Sequence, residues 1–298
     1  MSAKLLSPKA RGLAVTLPLP YAADSNLVFS RETVVGPLYT LSSDTEIGRH
    51  IREYGEWASG ETQFFKHLLR PGMNVIDVGA NIGYFTRLAS DIVGSSGHVL
   101  AIEPVPSTVE ILRANAALAS KSNISILPIA IGDAESELTI WMHPSGNVGG
   151  SRSTPFAEGL GGHVRVLCLP LDDVVDPDVP VDVIKIDIEG MDHLAIEGMQ
   201  RTIRKWKPVV LCEFNVAAMA EAGIDAVKVI VRYGELGLTP RLLGSDLRIL
   251  QAVSGADLSP WLDHDLMIRT HEEEFVDCVR PVHLVNLVLT PMNTPTNF

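Results

Sequence analysis

Cysteine is scarce in this chain of 298 residues, and the three that occur are widely separated. Cys168, Cys212 and Cys278 form no C-x-x-C pair. The sequence therefore offers neither the ligand spacing of a zinc site nor an even set of partners for a disulfide framework. Cys168 and Cys212 also lie within apolar runs, which is typical of reduced, buried thiols. We expect a cytoplasmic protein.

Basic residues and long apolar runs are also lacking. The chain has 24 Lys and Arg against 36 Asp and Glu, which gives a formal net charge of −12. A surface this acidic repels a phosphate backbone and argues against a nucleic-acid partner. No run approaches the roughly 20 apolar residues that a membrane span needs. We expect a globular protein whose partner is a small molecule; the sequence does not indicate an oligomeric state.

Short apolar strands alternate with helices through the middle of the chain. Near-continuous apolar strands separated by helices imply a mostly parallel sheet with helices on both faces. Because such crossovers are nearly always right-handed, we predict an α/β, doubly wound, Rossmann-like fold. The predicted strands cover residues 74–78, 98–102, 124–131, 181–188 and 208–214, and the helices between them cover residues 83–93, 109–119 and 191–205.

The remaining segments are assigned around this alternation. Residues 1–60 are predicted to be a leader, irregular up to about residue 40 and helical from Asp44, which contributes to the substrate side. Strands over residues 137–142 and 164–169 predict a hairpin inserted within residues 136–170. Its Gly-, Ser- and Pro-rich connection, residues 143–162, is either a lid or a disordered tip. A helix over residues 216–236 and strands over residues 239–243, 247–253 and 282–289 complete a domain of residues 61–290, and residues 291–298 form a tail.

Four predicted strands end in acidic residues, which are Asp77, Glu103, Asp187 and Glu213. In an open parallel sheet, ligands bind beyond the carboxyl ends of the strands, where the strand order reverses. We therefore expect these carboxylates to converge on one ligand site.

The turn after the first of these strands has the sequence DVGANIG, residues 77–83. Gly79 and Gly83 allow a close approach of the backbone to a ligand. A dinucleotide site favours the spacing G-x-G-x-x-G, which places a pyrophosphate at the helix N-terminus. The central glycine is missing here. A polar loop beside Asp77 suits S-adenosylmethionine better, because that cofactor has an amino-acid end and a ribose but no phosphate.

Two further carboxylates fit the same ligand. Glu103 can accept hydrogen bonds from both hydroxyls of a ribose, although it could instead be a solvated acid at a strand end. Asp133, which follows Ile131 and Gly132, could accept a hydrogen bond from the exocyclic amine of an adenine ring. The alternative for Asp133 is a turn-forming residue after glycine.

Four segments together resemble the FkbM family of methyltransferases. They are YGEW at residues 54–57, DVGANIGY at 77–84, IKIDIEG at 184–190 and LCE at 211–213. The resemblance implies a class I methyltransferase fold, S-adenosylmethionine as the cofactor, and O-methylation of a hydroxyl on a sugar or polyketide-type natural product. With it, the predicted cofactor-binding residues are Glu56, Asp77, Gly79, Asn81, Gly83, Tyr84, Glu103, Asp133 and Asp187.

The predicted catalytic residues are Asp187, Glu189 and His193. An alcohol is a poor nucleophile until its proton leaves, so a positioned base is expected among them, with Glu213 as a further candidate. The family usually has Glu where this chain has Asp192, and an aliphatic residue where it has His193. That departure leaves open whether His193 is catalytic or an incidental helix residue. His143 and His163 flank the inserted loop and could deliver a base when a lid closes.

A divalent metal could bind Asp187, Glu189 and Glu213, because clustered carboxylates are ligands for hard cations, but we do not expect one to be required. Two other functions stay open. One is an NAD(P)-dependent oxidoreductase on a Rossmann fold, against which the missing glycine counts. The other is a non-catalytic module that only binds the cofactor.

Overall fold

The computed structural model describes residues 4–14, 26–143, 148–151, 153, 162–243, 249–252 and 284–291. The helices in these residues are α1 (Pro8–Arg11), α2 (Ile47–Tyr54), α3 (Ser59–Leu68), α4 (Tyr84–Val93), α5 (Pro106–Ala117), α6 (Leu171–Val174), α7 (Asp192–Glu197), α8 (Gln200–Trp206), α9 (Val216–Glu221) and α10 (Ala226–Glu235). The strands are β1 (Leu27–Ser30), β2 (Leu38–Leu41), β3 (Asn74–Val78), β4 (His98–Ile102), β5 (Ile124–Leu127), β6 (Ala130–Ile131), β7 (Ser136–Trp141), β8 (His163–Leu169), β9 (Val183–Ile186), β10 (Val209–Asn215), β11 (Leu238–Leu243), β12 (Ile249–Ala252) and β13 (Leu284–Pro291).

The central sheet has the strand order β12-β11-β13-β10-β9-β3-β4-β5. Strands β10, β9, β3, β4 and β5 pair in parallel, whereas β13 pairs antiparallel with both β10 and β11. The predicted doubly wound, mostly parallel sheet is confirmed. The chain leaves β3 towards β4 and β5 on one side and later adds β9 and β10 on the other. The strand order therefore reverses between β3 and β9, which is where such sheets bind ligands.

Apolar side chains of the parallel strands alternate between two core clusters, one on each face of the sheet. Ile76 and Ile184 belong to the cluster that includes α7, α8 and α10. Val75, Val183 and Leu211 belong to the cluster under α3, α4 and α5. Because strand side chains alternate in direction, Asp77 and Lys185 lie on the same face as Val75 and Val183. This register aims both charged side chains towards α3 and α4.

The inserted hairpin is present, but the predicted strand over residues 124–131 is wrong as a single element. Strand β5 ends at Leu127, and β6 instead joins a second sheet with the order β6-β8-β7. Pro128 lies at the break, and it has no N–H group to extend the ladder of β5. A small cluster that includes Ile140 and Val166 packs beneath the second sheet.

Two predicted helices are also interrupted. Residues 191–205 form α7 and α8, which are separated at Gly198 and Met199. A Cβ at Gly198 would overlap the backbone carbonyl oxygen of Gly132, so the chain passes the second sheet too closely for a side chain there. Residues 216–236 form α9 and α10. The second of these starts afresh because the Asp225 side chain accepts hydrogen bonds from the N–H groups of Val227 and Lys228.

The N-terminal residues that the structure describes are more ordered than the predicted leader. Leu5 and Leu6 are fully buried in the core, and Leu6 forms a β-bridge with Val175. The predicted helical region from Asp44 contains α2, and the carboxylate of Asp44 accepts hydrogen bonds from the N–H groups of Glu46 and Gly48 at the start of this helix. These contacts join the leader to the same core as the sheet.

Some predictions fall outside the described residues. They concern most of the loop 143–162, Cys278 and the tail beyond Pro291. Within the described ranges, no helix is both long enough and apolar enough to cross a membrane.

Candidate active site

A cavity of about 360 Å³ opens at the carboxyl ends of β3, β4 and β9, at the point where the strand order reverses. Most predicted site residues line it, namely Asp77, Gly79, Asn81, Tyr84, Glu103, Asp133, Asp187 and Glu189. The second sheet contributes Ser136, Leu138 and Ile140, and the described part of the inserted loop contributes Ser151 and Ser153. The cavity therefore lies between the central sheet and the insertion.

Gly79 lets the turn after β3 pass directly over the end of β9. Its φ is +79°, and a Cβ at this position would overlap the backbone carbonyl oxygen of Asp187. A side chain is excluded on both grounds. Asn81 in the same turn also has a positive φ, +50°. Gly83 is the N-cap of α4 and lies outside the cavity wall, where a Cβ would be 2.6 Å from Leu112 Cδ1.

Glu103 closes one side of this turn. Its Oε2 accepts a hydrogen bond from the Asn81 N–H at 3.0 Å, and its Oε1 accepts one from the Val105 N–H at 2.9 Å. Burial raises the pKa of this carboxyl to about 7, and the two backbone hydrogen bonds act in the opposite direction. Each carboxylate oxygen has a further lone pair, so Glu103 can still accept hydrogen bonds from a ligand in the cavity.

A buried lysine lies beneath the cavity. Lys185 is the strand neighbour of Asp77, and its Nζ donates a hydrogen bond to Asp187 Oδ2 at 2.9 Å. The ammonium group also lies 4.9 Å from the centroid of the Phe85 ring. Burial acts to lower the pKa of Lys185, but the charges of Asp187 and Asp77 outweigh it and hold the pKa above its ordinary value. Lys185 therefore stays charged and fixes Asp187 at the rim.

Asp77 is almost completely buried. Its Oδ2 accepts a hydrogen bond from Thr86 Oγ1 at 2.6 Å, whereas its Oδ1 has no hydrogen-bond partner among the described residues. Burial raises the pKa of Asp77, and the charge of Lys185 partly offsets this. One oxygen of Asp77 thus remains available at the base of the cavity.

Two more carboxyl groups are buried next to the cavity. Burial raises the pKa of Glu213 well above its usual range, and the charges of Asp187, Glu189 and Asp192 raise it further. Burial likewise raises the pKa of Asp192 to about 7. Within the part of the chain that the structure describes, Glu213 Oε2 and both carboxyl oxygens of Asp192 have no hydrogen-bond partner.

The other predicted residues lie in different surroundings. Tyr84 is buried, and its hydroxyl oxygen accepts a hydrogen bond from Thr62 Oγ1 at 3.2 Å. Asp133 lines the cavity with an exposed side chain. Glu189 has a φ of +57° in the turn after β9. Glu56 accepts a hydrogen bond from Ser59 Oγ at 2.6 Å and does not line the cavity.

His193 is not brought to the cavity either, whose wall here consists of Met191 and Leu194. Its Nδ1 is buried without a hydrogen-bond partner among the described residues, and burial lowers the pKa of the ring. The catalytic role predicted for His193 stays a prediction that the position of its side chain does not support.

A smaller pocket of about 130 Å³ adjoins the cavity. Five residues line both spaces, namely Trp57, Phe85, Lys185, Asp187 and Glu213. Four others line only the smaller one, namely Ala58, Glu61, Ile186 and Leu211. We call this space the side pocket. It lies at the carboxyl ends of β9 and β10, on the face of the sheet that α3 and α4 cover.

Sequence reasoning missed several residues of this site. Lys185 belongs to the segment IKIDIEG but has no predicted role, although a lysine inside a short apolar strand is itself a signal of a buried charge with a partner. Trp57 belongs to the segment YGEW and likewise has no predicted role. The contributions of β7 gave no signal in the sequence, because they depend on where the second sheet packs. Among the described residues, no group of three or more His, Cys, Asp or Glu side chains could hold a metal ion.

Comparisons with known proteins agree with this geometry. Residues 77–236 match the model of the FkbM methyltransferase domain. A protein-L-isoaspartate O-methyltransferase of Methanococcus maripaludis is 31% identical over 101 residues, which are 29% of this chain and 48% of that protein. One from Methanothrix thermoacetophila is 41% identical over 59 residues, which are 20% of this chain and 28% of that protein. The chain thus spans less than half the length of these curated relatives.

Solved structures were compared as well. An FkbM methyltransferase from Methylobacillus flagellatus is 20% identical, with a TM-score of 0.35, and the match covers 51% of this chain and 39% of that one. An S-adenosylmethionine-dependent O-methyltransferase from Thermotoga maritima is 13% identical, with a TM-score of 0.42, and the match covers 90% of this chain and 78% of that one. The family match itself contains the glycine turn, Glu103, Asp187 and Glu213 and extends over more than half of the 298 residues. The chain belongs to the FkbM methyltransferase family.

Proposed function

We propose that this protein transfers a methyl group from S-adenosylmethionine to a hydroxyl oxygen of a small acceptor, a sugar or a polyketide-type natural product. The observation that carries the proposal is one cavity whose wall combines the Gly79 turn and Glu103 with the carboxyl groups of Asp187, Glu189 and Glu213. Bound there, the cofactor would supply a methyl group activated by a sulfonium.

The residues of the glycine turn and its neighbours fit that cofactor. The absence of a side chain at Gly79 leaves a cradle beside Asp187. Glu103 has lone pairs for the two hydroxyls of a ribose, and Asp77 Oδ1 is a buried acceptor without a partner among the described residues. In our proposal Gly79, Asn81, Glu103 and Asp133 hold the nucleoside part, and Asp77 and Asp187 hold the amino-acid part.

Other carboxyl groups of the cavity suit an acceptor that must lose a proton. Alignment of the reacting atoms supplies much of the rate in such a displacement, and a positioned base adds about 10²–10⁴-fold. Asp187 and Glu189 line the same cavity and are candidates for this base. Several similar proteins are named as O-methyltransferases, which supports oxygen as the acceptor atom. The net charge of −12 favours a small acceptor over a nucleic acid.

An oxidoreductase is the weaker alternative. In a dinucleotide site the N–H groups of the glycine turn face a pyrophosphate. Here Glu103 Oε2 already accepts the Asn81 N–H, and a carboxylate at that place would repel a phosphate. A module that binds the cofactor without turnover differs from an enzyme only in activity.

Mass spectrometry of reaction mixtures tests the proposal. Purified protein is incubated with S-adenosylmethionine and a panel of sugars and polyketides, with cofactor-free mixtures as the control. We expect one acceptor to gain the mass of one methyl group while S-adenosylhomocysteine accumulates. Redox turnover of a nicotinamide cofactor, or cofactor binding without transfer to any member of the panel, would contradict it.

A further inference from the structure

The side pocket is continuous with the cofactor cavity but has its own walls. The two spaces share Lys185, Asp187 and Glu213, so they meet at the carboxyl ends of β9 and β10. Glu103 and Gly79 line only the larger cavity. A ligand that bound Glu103 would therefore leave the side pocket for a second molecule, on the far side of Asp187.

The size and walls of the side pocket restrict what can enter. Its volume of about 130 Å³ is close to the roughly 150 Å³ of a cavity that admits a benzene-sized ring. Trp57 and Phe85 line it together with Ala58 and Leu211. Aromatic and aliphatic walls favour the flat apolar face of a ring. The pocket thus suits a single six-membered ring rather than an extended chain.

Glu213 supplies one of the polar groups in this space, which Glu61, Lys185 and Asp187 also line. Its Oε2 is buried and has no hydrogen-bond partner among the described residues. A buried acceptor without a partner costs about 1–3 kcal/mol, which a donor from a ligand would recover. Across the boundary of the two spaces, Asp187 is already engaged by Lys185. Glu213 is therefore the carboxyl group best able to receive a hydroxyl.

We infer that the side pocket seats one hydroxylated six-membered ring of the methyl acceptor, and that Glu213 Oε2 accepts the hydrogen bond of its reacting hydroxyl. This inference rests on the proposed function and deepens it. In the transfer, the acceptor oxygen forms a bond to the methyl carbon as the carbon–sulfur bond breaks. The electron pair of that bond stays on sulfur and neutralises the sulfonium. The hydroxyl proton passes to the carboxylate of Glu213.

Ring binding can be measured without any turnover. Saturation-transfer NMR is run with protein saturated with S-adenosylhomocysteine and two probes, methyl α-D-glucopyranoside and cyclohexanol. Ala58→Leu adds bulk at the wall of the side pocket, and Ala117→Leu adds the same bulk at an exposed site of α5. We expect at least one probe to bind the native protein and Ala117→Leu. For Ala58→Leu the affinity should fall about tenfold or more, 1.4 kcal/mol.

Calorimetry with S-adenosylhomocysteine accompanies these spectra, and all three proteins should bind it equally well. If neither probe bound to the native protein, or if a probe bound to Ala58→Leu with its native affinity, the inference would be overturned. Weaker cofactor binding in Ala58→Leu would also overturn it, because the side pocket would then belong to the cofactor. If Ala58→Leu does not fold, Ala58→Met provides the same test. The probe that binds distinguishes a sugar ring from a carbocycle.

The role of Glu213 is tested on the acceptor that the mass-spectrometric panel identifies. Glu213 is faced by Asp187, Glu189 and Lys185 from β9 and its following turn, by Asp192 from α7 and by Glu61 from α3. Burial and the nearby carboxylates raise its pKa, and a base acts only when deprotonated, so turnover should rise with pH as this carboxyl group loses its proton. Glu213→Gln should lower kcat by about 10²–10⁴-fold and abolish that rise.

The outcomes separate this inference from the function itself. A panel in which no acceptor is methylated contradicts the proposed function, while the NMR result still decides whether the side pocket binds a ring. Methylation that is unaffected by Ala58→Leu and Glu213→Gln contradicts the inference and leaves the function standing.

Discussion

At the scale of single residues, the proposed cofactor site depends on one close contact, between the turn at Gly79 and the carbonyl oxygen of Asp187. Gly79→Ala adds a Cβ that collides with that carbonyl. The alanine must also keep the positive φ of the glycine, which by itself costs about 1–2 kcal/mol of stability. We expect a lower melting temperature and a loss of affinity for S-adenosylhomocysteine, measured by calorimetry.

Gly237→Ala is the matched control for this change. Gly237 has a φ of +81°, close to that of Gly79, and no atom within 4 Å of the position of a Cβ, so an alanine there has a positive φ without the collision. An equal loss of stability in both variants, with affinity intact in Gly79→Ala, would show that the contact with Asp187 is not needed.

Glu103 gives a second prediction at this scale. Glu103→Ala removes the acceptor for two ribose hydroxyls and also frees the Asn81 N–H. Affinity for S-adenosylmethionine should fall by about 1–3 kcal/mol. Glu103→Gln keeps one acceptor oxygen and should therefore lose less affinity than Glu103→Ala. The position would not belong to the cofactor site if calorimetry gave the native affinity for both variants.

Asp192 gives a prediction about stability and pH. Its pKa is raised from 3.8 to about 7 by burial, so the folded state holds a proton that the unfolded state releases between these values. The free energy of unfolding therefore falls as pH rises from about 4 to 7 and then levels off. Asp192→Asn removes the titrating group, so its stability relative to the native protein should grow across that interval.

Urea denaturation at pH 5 and pH 8 measures this difference. Relative to the native protein, we expect the free energy of unfolding of Asp192→Asn to be about 1–3 kcal/mol more favourable to the folded state at pH 8 than at pH 5. Asp91→Asn removes a charge at an exposed position and serves as the control. The same pH dependence in all three proteins would mean that Asp192 does not titrate in this range.

At the scale of elements, α4 joins the glycine turn to the N-terminal hairpin β1–β2. Arg87 on this helix is buried, and its guanidinium donates hydrogen bonds to the carbonyl oxygens of Val35, Pro37 and Asn115 at 2.9–3.1 Å. The hairpin in turn leads into α2, after which Trp57 lines the cavity. The side chain of Arg87 thus helps to tie the predicted leader to the site.

Arg87→Met should release this connection. Because three carbonyl oxygens lose a charged donor, we expect the free energy of unfolding to fall by about 2–5 kcal/mol. Hydrogen exchange should rise in β2 and stay unchanged in β4. Arg49→Met, at an exposed pair with Glu53, is the control. If both variants exchange like the native protein, Arg87 does not hold the hairpin.

The sequence predicted those elements whose signals are local. Strands β3 and β4 have the predicted bounds, because each is a short apolar run between turn residues. The failures have long-range causes: the helix over residues 191–205 breaks where Gly198 meets Gly132 of the second sheet, and the last residues of the strand over 124–131 join β8 instead of continuing β5. No local pattern reveals either partner.

At the scale of the whole molecule, the cavity that we propose for the cofactor and the side pocket that we propose for the acceptor meet at Asp187. The proximity of Asp77, Gly79 and Glu103 was predictable, since the first two lie at the carboxyl end of β3, Glu103 follows β4, and parallel strands end at the same edge. The side pocket was not, because it needs α3, β9 and β10 together. Trp57 and Glu213 are far apart in the chain and meet only through the sheet order.

The central claim is methyl transfer to oxygen, and NMR of the product made from S-adenosylmethionine labelled with ¹³C in the methyl group tests it most directly. We predict one new labelled signal, correlated with a carbon of the acceptor ring and at the chemical shift of a methyl ether. That signal should be absent with Gly79→Ala. A label that remains in the cofactor with every acceptor, or one that appears on nitrogen or carbon, would contradict the account.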